Sequence, residues 1–200
     1  MKMTYVIIIV VIIVWLGMMA VLKRQARGTT DDHSIQNAGQ VKKHKVDENP
    51  YEGLRQRAFT VTPQQLGLQI SKDHTEIYGI VMDWDTGQVV ATVVAFKTGD
   101  ASVYLSSGQA FIGGFAHEAV KKAAFDFVEK AQPYLTKAQK TTINSLPDKE
   151  CVKFFLLTNN GIYSHQETVK SIENSKTDWT ALFSRGNQVI TEYRLITDKK

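Results

Sequence analysis

Between Thr4 and Leu22 the chain runs for nineteen residues without a charge, TYVIIIVVIIVWLGMMAVL. At ~1.5 Å of rise per residue this stretch makes a helix about 28 Å long, close to the ~30 Å hydrocarbon core of a bilayer. Ile and Val dominate it, and in water such residues favour strands. Lipid reverses that preference, because it offers the backbone no hydrogen-bond partner outside a helix. Tyr5 sits where an interfacial anchor belongs. A cleaved signal peptide, the alternative, needs a shorter apolar core and small residues at its cleavage site. Here Lys23 and Arg24 follow the run directly. The expectation is one transmembrane helix over 4–22, with the lipid bilayer as its partner.

Basic residues set the orientation. Only Lys2 precedes the run, whereas Lys23, Arg24, Arg27, Lys42, Lys43 and Lys45 follow it. The positive flank stays inside, which predicts that everything after the span faces the cytoplasm. The single cysteine, Cys151, cannot close an intramolecular disulfide and so requires no oxidising compartment. It opens the apolar run CVKFFLLT and reads as a small buried hydrophobe.

A sequence pI near 9.0 invites a nucleic-acid reading, but the distribution of charge opposes it. From Pro50 onward there are 17 Lys and Arg against 16 Asp and Glu, so the excess lies in the first 49 residues. A nucleic-acid binder concentrates its positive charge on a folded face. No nucleic-acid partner is expected.

Residues 23–49 are polar and lack an apolar period, the composition of a flexible tether. The dipeptide Asn49-Pro50 marks the boundary of a globular domain over 50–200. Its first segment, PYEGLRQRAF, suits a short helix, and in TVTPQQLGL Thr62 caps a turn that Gly67 stops. The turn sequences Asp85-Thr86-Gly87 and Thr98-Gly99-Asp100 separate β-branched runs, predicting a three-strand meander near 76–84, 88–97 and 101–106. The middle strand is apolar on both faces and should be central. A long helix follows over 115–132, with Ala116, Ala119, Val120, Ala123, Phe127, Val128 and Ala131 as its stripe and Phe125 widening it. Asn159-Asn160-Gly161 signals a hairpin. After a helical turn in TVKSIEN, DWTALFSRGNQVITEYRLI carries a 3.6-residue period throughout; a break at Gly186 with a strand over 188–196 is the competing reading. The expected fold class is α+β: about five mainly antiparallel strands, packed with a long central helix and a C-terminal helix, and preceded by the transmembrane helix.

The stretch SSGQAFIGGFAHEAV looks most like a site. Glycines before a helix allow close approach of an anion to free backbone N–H groups, so Ser106, Ser107, Gly108, Gly113 and Gly114 are candidate ligand-binding residues. The stretch is neither a P-loop nor a dinucleotide fingerprint. Asp83 and Asp85 lie two apart and share a strand face, where they could hold a divalent metal. The strand order invites comparison with ribonuclease H-like nucleases, Glu118 being the helix carboxylate, but the fourth strand ends in Thr158-Asn159-Asn160 where that pattern wants aspartate. The histidines His33, His44, His74, His117 and His165 have no ligand spacing. No catalytic residue, metal ligand or cofactor is therefore assigned.

The phrases PYEGLRQRAF, TPQQLGL, GIVMDWDTG, FKTGDASVYLSSGQ, FFLLTNNGIY and LFSRGNQVITEYRL resemble those of a group of small bacterial proteins without an established activity. The resemblance covers 50–196 and implies a bacterial origin and these domain limits. The functional expectation is a single-pass protein of the bacterial inner membrane displaying a non-catalytic binding or adaptor domain to a protein partner in the cytoplasm. The alternatives are a small-molecule or anion binder at the Ser/Gly loop and, third, a metal-dependent nuclease.

Overall fold

The computed structural model describes residues 49–198. The expected span at 4–22 and nearly all of the tether lie outside them, and among the described residues no helix is long and apolar enough to cross a membrane. From Asn49 the chain forms one compact α+β unit. A helix, α1 (Tyr51–Ala58), precedes strands β1 (Ile77–Asp85), β2 (Val90–Phe96), β3 (Ala101–Leu105) and β4 (Ala110–Phe111). A 3-10 turn at Gly114–Ala116 leads into α2 (Glu118–Glu129), and a second 3-10 segment, Gln132–Lys137, leads into β5 (Gln139–Thr141). The hairpin β6 (Cys151–Thr158) and β7 (Gly161–Thr168) is followed by α3 (Val169–Glu173) and α4 (Trp179–Thr197). The seven strands form one antiparallel sheet in the order β4-β3-β2-β1-β6-β7-β5.

The turn chemistry works as the residues dictate. Asp85 accepts the Gly87 N–H at 2.6 Å, and Gly87 and Gly99 take φ of 83° and 87°, values that only glycine adopts cheaply. At the β6–β7 hairpin the positive φ falls on Gly161 rather than on either asparagine. The centre of the sheet is β1, with β2 beside it, and both are buried on both faces. The polar alternation of Asp83 and Asp85 disguises β1 as a strand with one wet face. Two strands exceed the expected five. β4 has two residues and β5 three, too few to carry a period, and these two form the edges of the sheet.

One sheet face carries α2, α3 and α4 over a core including Ile80, Met82, Val93, Phe127, Phe154 and Leu156. The other carries α1 and the segment after it over Tyr78, Val81, Val94, Phe155 and Leu157. The expected helix over 115–132 is corrected to Glu118–Glu129. Gly113 at φ 85° and the extended His117 interrupt the backbone before it, so Ala116 and Ala119 are exposed. Phe125 is 45% exposed instead of widening the stripe, and Ala124 takes the buried position. The C-terminal helix is continuous through Gly186, which excludes a strand at 188–196. A Cβ there would stand 2.7 Å from Met82 Sδ, so the glycine lets α4 approach β1 closely rather than breaking the helix.

Candidate functional site

The five loop residues occupy two places. Ser106, Ser107 and Gly108 form the tight turn between β3 and β4, where Leu105 N–H bonds Gln109 C=O at 2.8 Å. The Ser106 hydroxyl accepts the Val90 N–H at 2.9 Å, and its carbonyl accepts from the Asn49 side chain at 2.7 Å. Gly113 and Gly114 lie past the far end of β4. Ladder pairs Val103–Phe111 and Tyr104–Ala110 fix that register, putting the two groups about 13 Å apart along the sheet edge. Gly113 turns the chain, and an added Cβ there would meet nothing within 4 Å. Gly114 is a packing glycine: its Cβ would lie 2.5 Å from Tyr193 Oη and 2.6 Å from Val120 Cγ1. Tyr193 uses that hydroxyl to donate to Ala101 O at 2.6 Å, and burial pushes its pKa up to about 12. Beside this corner Ile112 and Phe115 are 63% and 53% exposed.

The carboxylate pair separates as well. Asp83 is 0% exposed and its oxygens are occupied: Arg55 Nε and Nη2 donate to one at 3.0 and 2.6 Å, and Thr92 Oγ1 donates to the other at 2.6 Å. Tyr51 extends the network to Thr92 at 2.9 Å, and burial pushes its phenol up to about 12. Arg55 is itself 4% exposed, with its guanidinium over the rings of Phe59 and Phe155. Asp85 serves its turn. A shared cation would have to displace Arg55 from a sealed core, and among the described residues no group of three metal-ligating side chains converges. Asn159, the position of the fourth-strand carboxylate, instead pins the entry to β1 through Glu76 N, Ser71 O and His74 O. Arg55 escaped the sequence reading because a charged residue on the buried side of α1, in line with Tyr51 and Ala58, has nothing local that signals its partner.

Two further constellations were not legible in sequence. His165 stacks on Trp179 at 4.2 Å and 7°, and meets Glu167 Oε1 at 2.9 Å; Thr177 donates to the same oxygen at 2.8 Å. This set ties β7 to the start of α4. Cys151 is buried as expected, and burial, with Asp148 next in order, pushes its thiol up, away from nucleophilic use.

The second constellation is a row at one end of the sheet. Trp84 pairs with Ala91, Ala91 with Leu105, and Leu105 with Gln109. Helix α4 crosses above it: Phe183 meets Trp84 edge-on at 5.2 Å, and Tyr193 meets Phe111 at 6.1 Å. By helical spacing Asn187 and Arg194 fall on the same side of the helix as Phe183. Four side chains here carry buried atoms with no hydrogen-bond partner: Trp84 Nε1, Gln109 Oε1, Asn187 Oδ1, and both Nε and Nη1 of Arg194.

No protein family's model matches this chain, and neither the curated proteins nor the solved structures contain a match to it.

Proposed function

We propose that the chain is a single-pass protein of the bacterial inner membrane, anchored through 4–22 and displaying its folded unit to the cytoplasm as a non-catalytic, protein-binding domain. The observation that supports this reading is how that unit begins. Asn49 bridges the Ser106 carbonyl and the Tyr51 N–H at 2.7 and 3.0 Å, fastening the chain where the tether ends. Among the described residues, both hydrophobic clusters draw on segments that follow Asn49. A tether over 23–49 with flexible-coil statistics keeps such a body within about 30 Å of the bilayer, which raises its effective concentration toward membrane partners.

Fused after Lys200, a fluorescent protein should light in the cytoplasm while alkaline phosphatase stays inactive, and the chain should remain in membranes washed with alkaline carbonate. Active phosphatase would overturn the orientation, and release into the wash would overturn the anchor. In-cell crosslinking should trap a protein partner, and that product should weaken when 4–22 are deleted.

The alternative, a binder of small molecules or anions, has one observation in its favour: Nε and Nη1 of Arg194 lie buried without a hydrogen-bond partner. The metal-dependent nuclease loses its support, because the fold has already spent Asp83 on Arg55.

A further inference from the structure

We infer that the corner running from Ile112 to Phe125 is a lipid-contact surface, by which the folded unit lies against the headgroup–acyl boundary of the bilayer. The inference rests on the anchor proposed at 4–22 and adds to it the side of the unit that faces lipid. Six large hydrophobic side chains are exposed among the described residues, and three of them, Ile112, Phe115 and Phe125, fall within 112–125. Ala116 and Ala119 are exposed in the same stretch. Gly114 is the residue of this corner that packs inward, against Tyr193 and Val120, which leaves Ile112 and Phe115 on either side of it outside the core. Lys121 Nζ stands 4.8 Å from the centre of the Phe115 ring, and Phe125 follows Lys121 by one helical turn, so it comes next along the same side of α2.

The occupant follows from where the chain outside the structure ends. Forty-eight residues precede Asn49, the uncharged run at 4–22 among them, and Asn49 is fastened to the Ser106 carbonyl at one end of the β3–β4 edge. The patch begins at the other end of that edge, about 13 Å away. A tether that keeps a bilayer within about 30 Å of Asn49 therefore brings this edge within reach of lipid. The composition suits the interface: aromatic rings settle at headgroup level, and lysine stems lie along apolar surface with the ammonium in water. Within 112–125, Lys121 and Lys122 stand against Glu118 alone, a small positive balance toward anionic headgroups. So few apolar side chains bind lipid weakly by themselves. The tether compensates, since at an effective concentration of about 1 mM a contact with a Kd of about 1 mM is occupied about half the time.

The test places the full-length chain, with its isoleucine methyl groups labelled for NMR, in nanodiscs of phosphatidylcholine and phosphatidylglycerol containing a doxyl spin-labelled lipid. The isoleucines of 4–22 report the anchor, Ile112 reports the patch, and Ile143, equally exposed on the loop after β5, is the control. The spin label should broaden the 4–22 methyls fully and the Ile112 methyl at least about threefold more than that of Ile143. Phe115→Asp, at an exposed position, should leave Tm unchanged and remove most of the Ile112 broadening while the 4–22 methyls stay broadened. If Ile112 is broadened no more than Ile143 while 4–22 is broadened, the inference is overturned and the anchor stands. If the 4–22 methyls escape the spin label, the anchor itself fails and the inference falls with it. An Ile112 signal that responds to protein concentration and not to the spin label identifies a second copy on the patch, which also overturns the inference.

Discussion

Beneath α2 and α4 the sheet presents Ile80, Met82, Val93, Phe154 and Leu156, all closed to solvent, with no charge among them. On its opposite face the same strands present Asp83 and Thr92, and α1 reaches down with Tyr51 and Arg55 to meet them. Apolar packing is permissive, since many side chains of the right volume satisfy it. A buried ion pair is exacting: it works in one register of α1 over β1 and is costly in every other. A helix of eight residues has little apolar surface with which to choose its own position, and the Arg55–Asp83 contact supplies that choice.

The sharpest way to break the comparison is to remove one partner on each face. Arg55→Met leaves Asp83 buried and unpaired and should cost about 3–5 kcal/mol. Phe127→Ala on the other face should cost a similar amount, about 3–5 kcal/mol, through its cavity. The faces then diverge in the double variants. Combining Arg55→Met with Asp83→Leu should recover most of the loss, whereas adding Val152→Ala to Phe127→Ala should deepen it; urea unfolding of the four variants decides. If the Arg55/Asp83 double variant is no better than the single ones, the pair does not act as a unit.

A smaller effect separates the two loop glycines. Gly114→Ala drives a methyl into Tyr193 Oη and Val120, and should cost about 1–3 kcal/mol. Gly113→Ala meets open space, so only its positive φ opposes it, at about 1 kcal/mol. Thermal melts that rank them the other way would contradict the close approach of α4 to the β3 corner.

Alkaline pH probes both faces at once through Tyr51 and Tyr193, each held near 12 by burial. Unfolded tyrosines ionise near 10. The fold favours the neutral phenol, so this stability is complete below pH 10 and is lost as pH climbs from 10 through 12. Burial raises the Tyr78 phenol as well, so absorbance at 295 nm should show Tyr51, Tyr193 and Tyr78 titrating late as the urea midpoint falls; if every tyrosine titrates near 10, the burial argument fails. The smallest effect belongs to the surface: Lys137→Gln, which frees exposed Asp178, should leave the urea midpoint essentially unchanged.

Elements with their own local signals were readable in advance. The D-T-G and T-G-D turns, the N-N-G hairpin and the unbroken period of α4 all rest on chemistry within a few residues. What escaped is non-local. Arg55 and Asp83 stand 28 positions apart, and the orphaned row joins residues from β1, the β3–β4 turn and α4. Neither has a spacing to read. The start of α2 failed for a related reason: alanines at 116 and 119 fit the period, but the backbone at Gly113 and His117 starts the helix only at Glu118, which leaves Ala116 outside it and Ala119 on its exposed side. Of the loop, the tight turns were legible in the glycines, while the packing role of Gly114 depends on a tyrosine 79 residues later.

The sheet ends in two stubs, β4 and β5. At the β4 side the Tyr193 hydroxyl already occupies a β3 carbonyl beyond the stub, and at the β5 side Lys140 sets a positive charge on the rim. Neither margin offers a neighbouring molecule a long row of vacant amides to zip onto. Borders of two and three residues are poor templates for strand-on-strand growth into a fibril, however densely copies are crowded together.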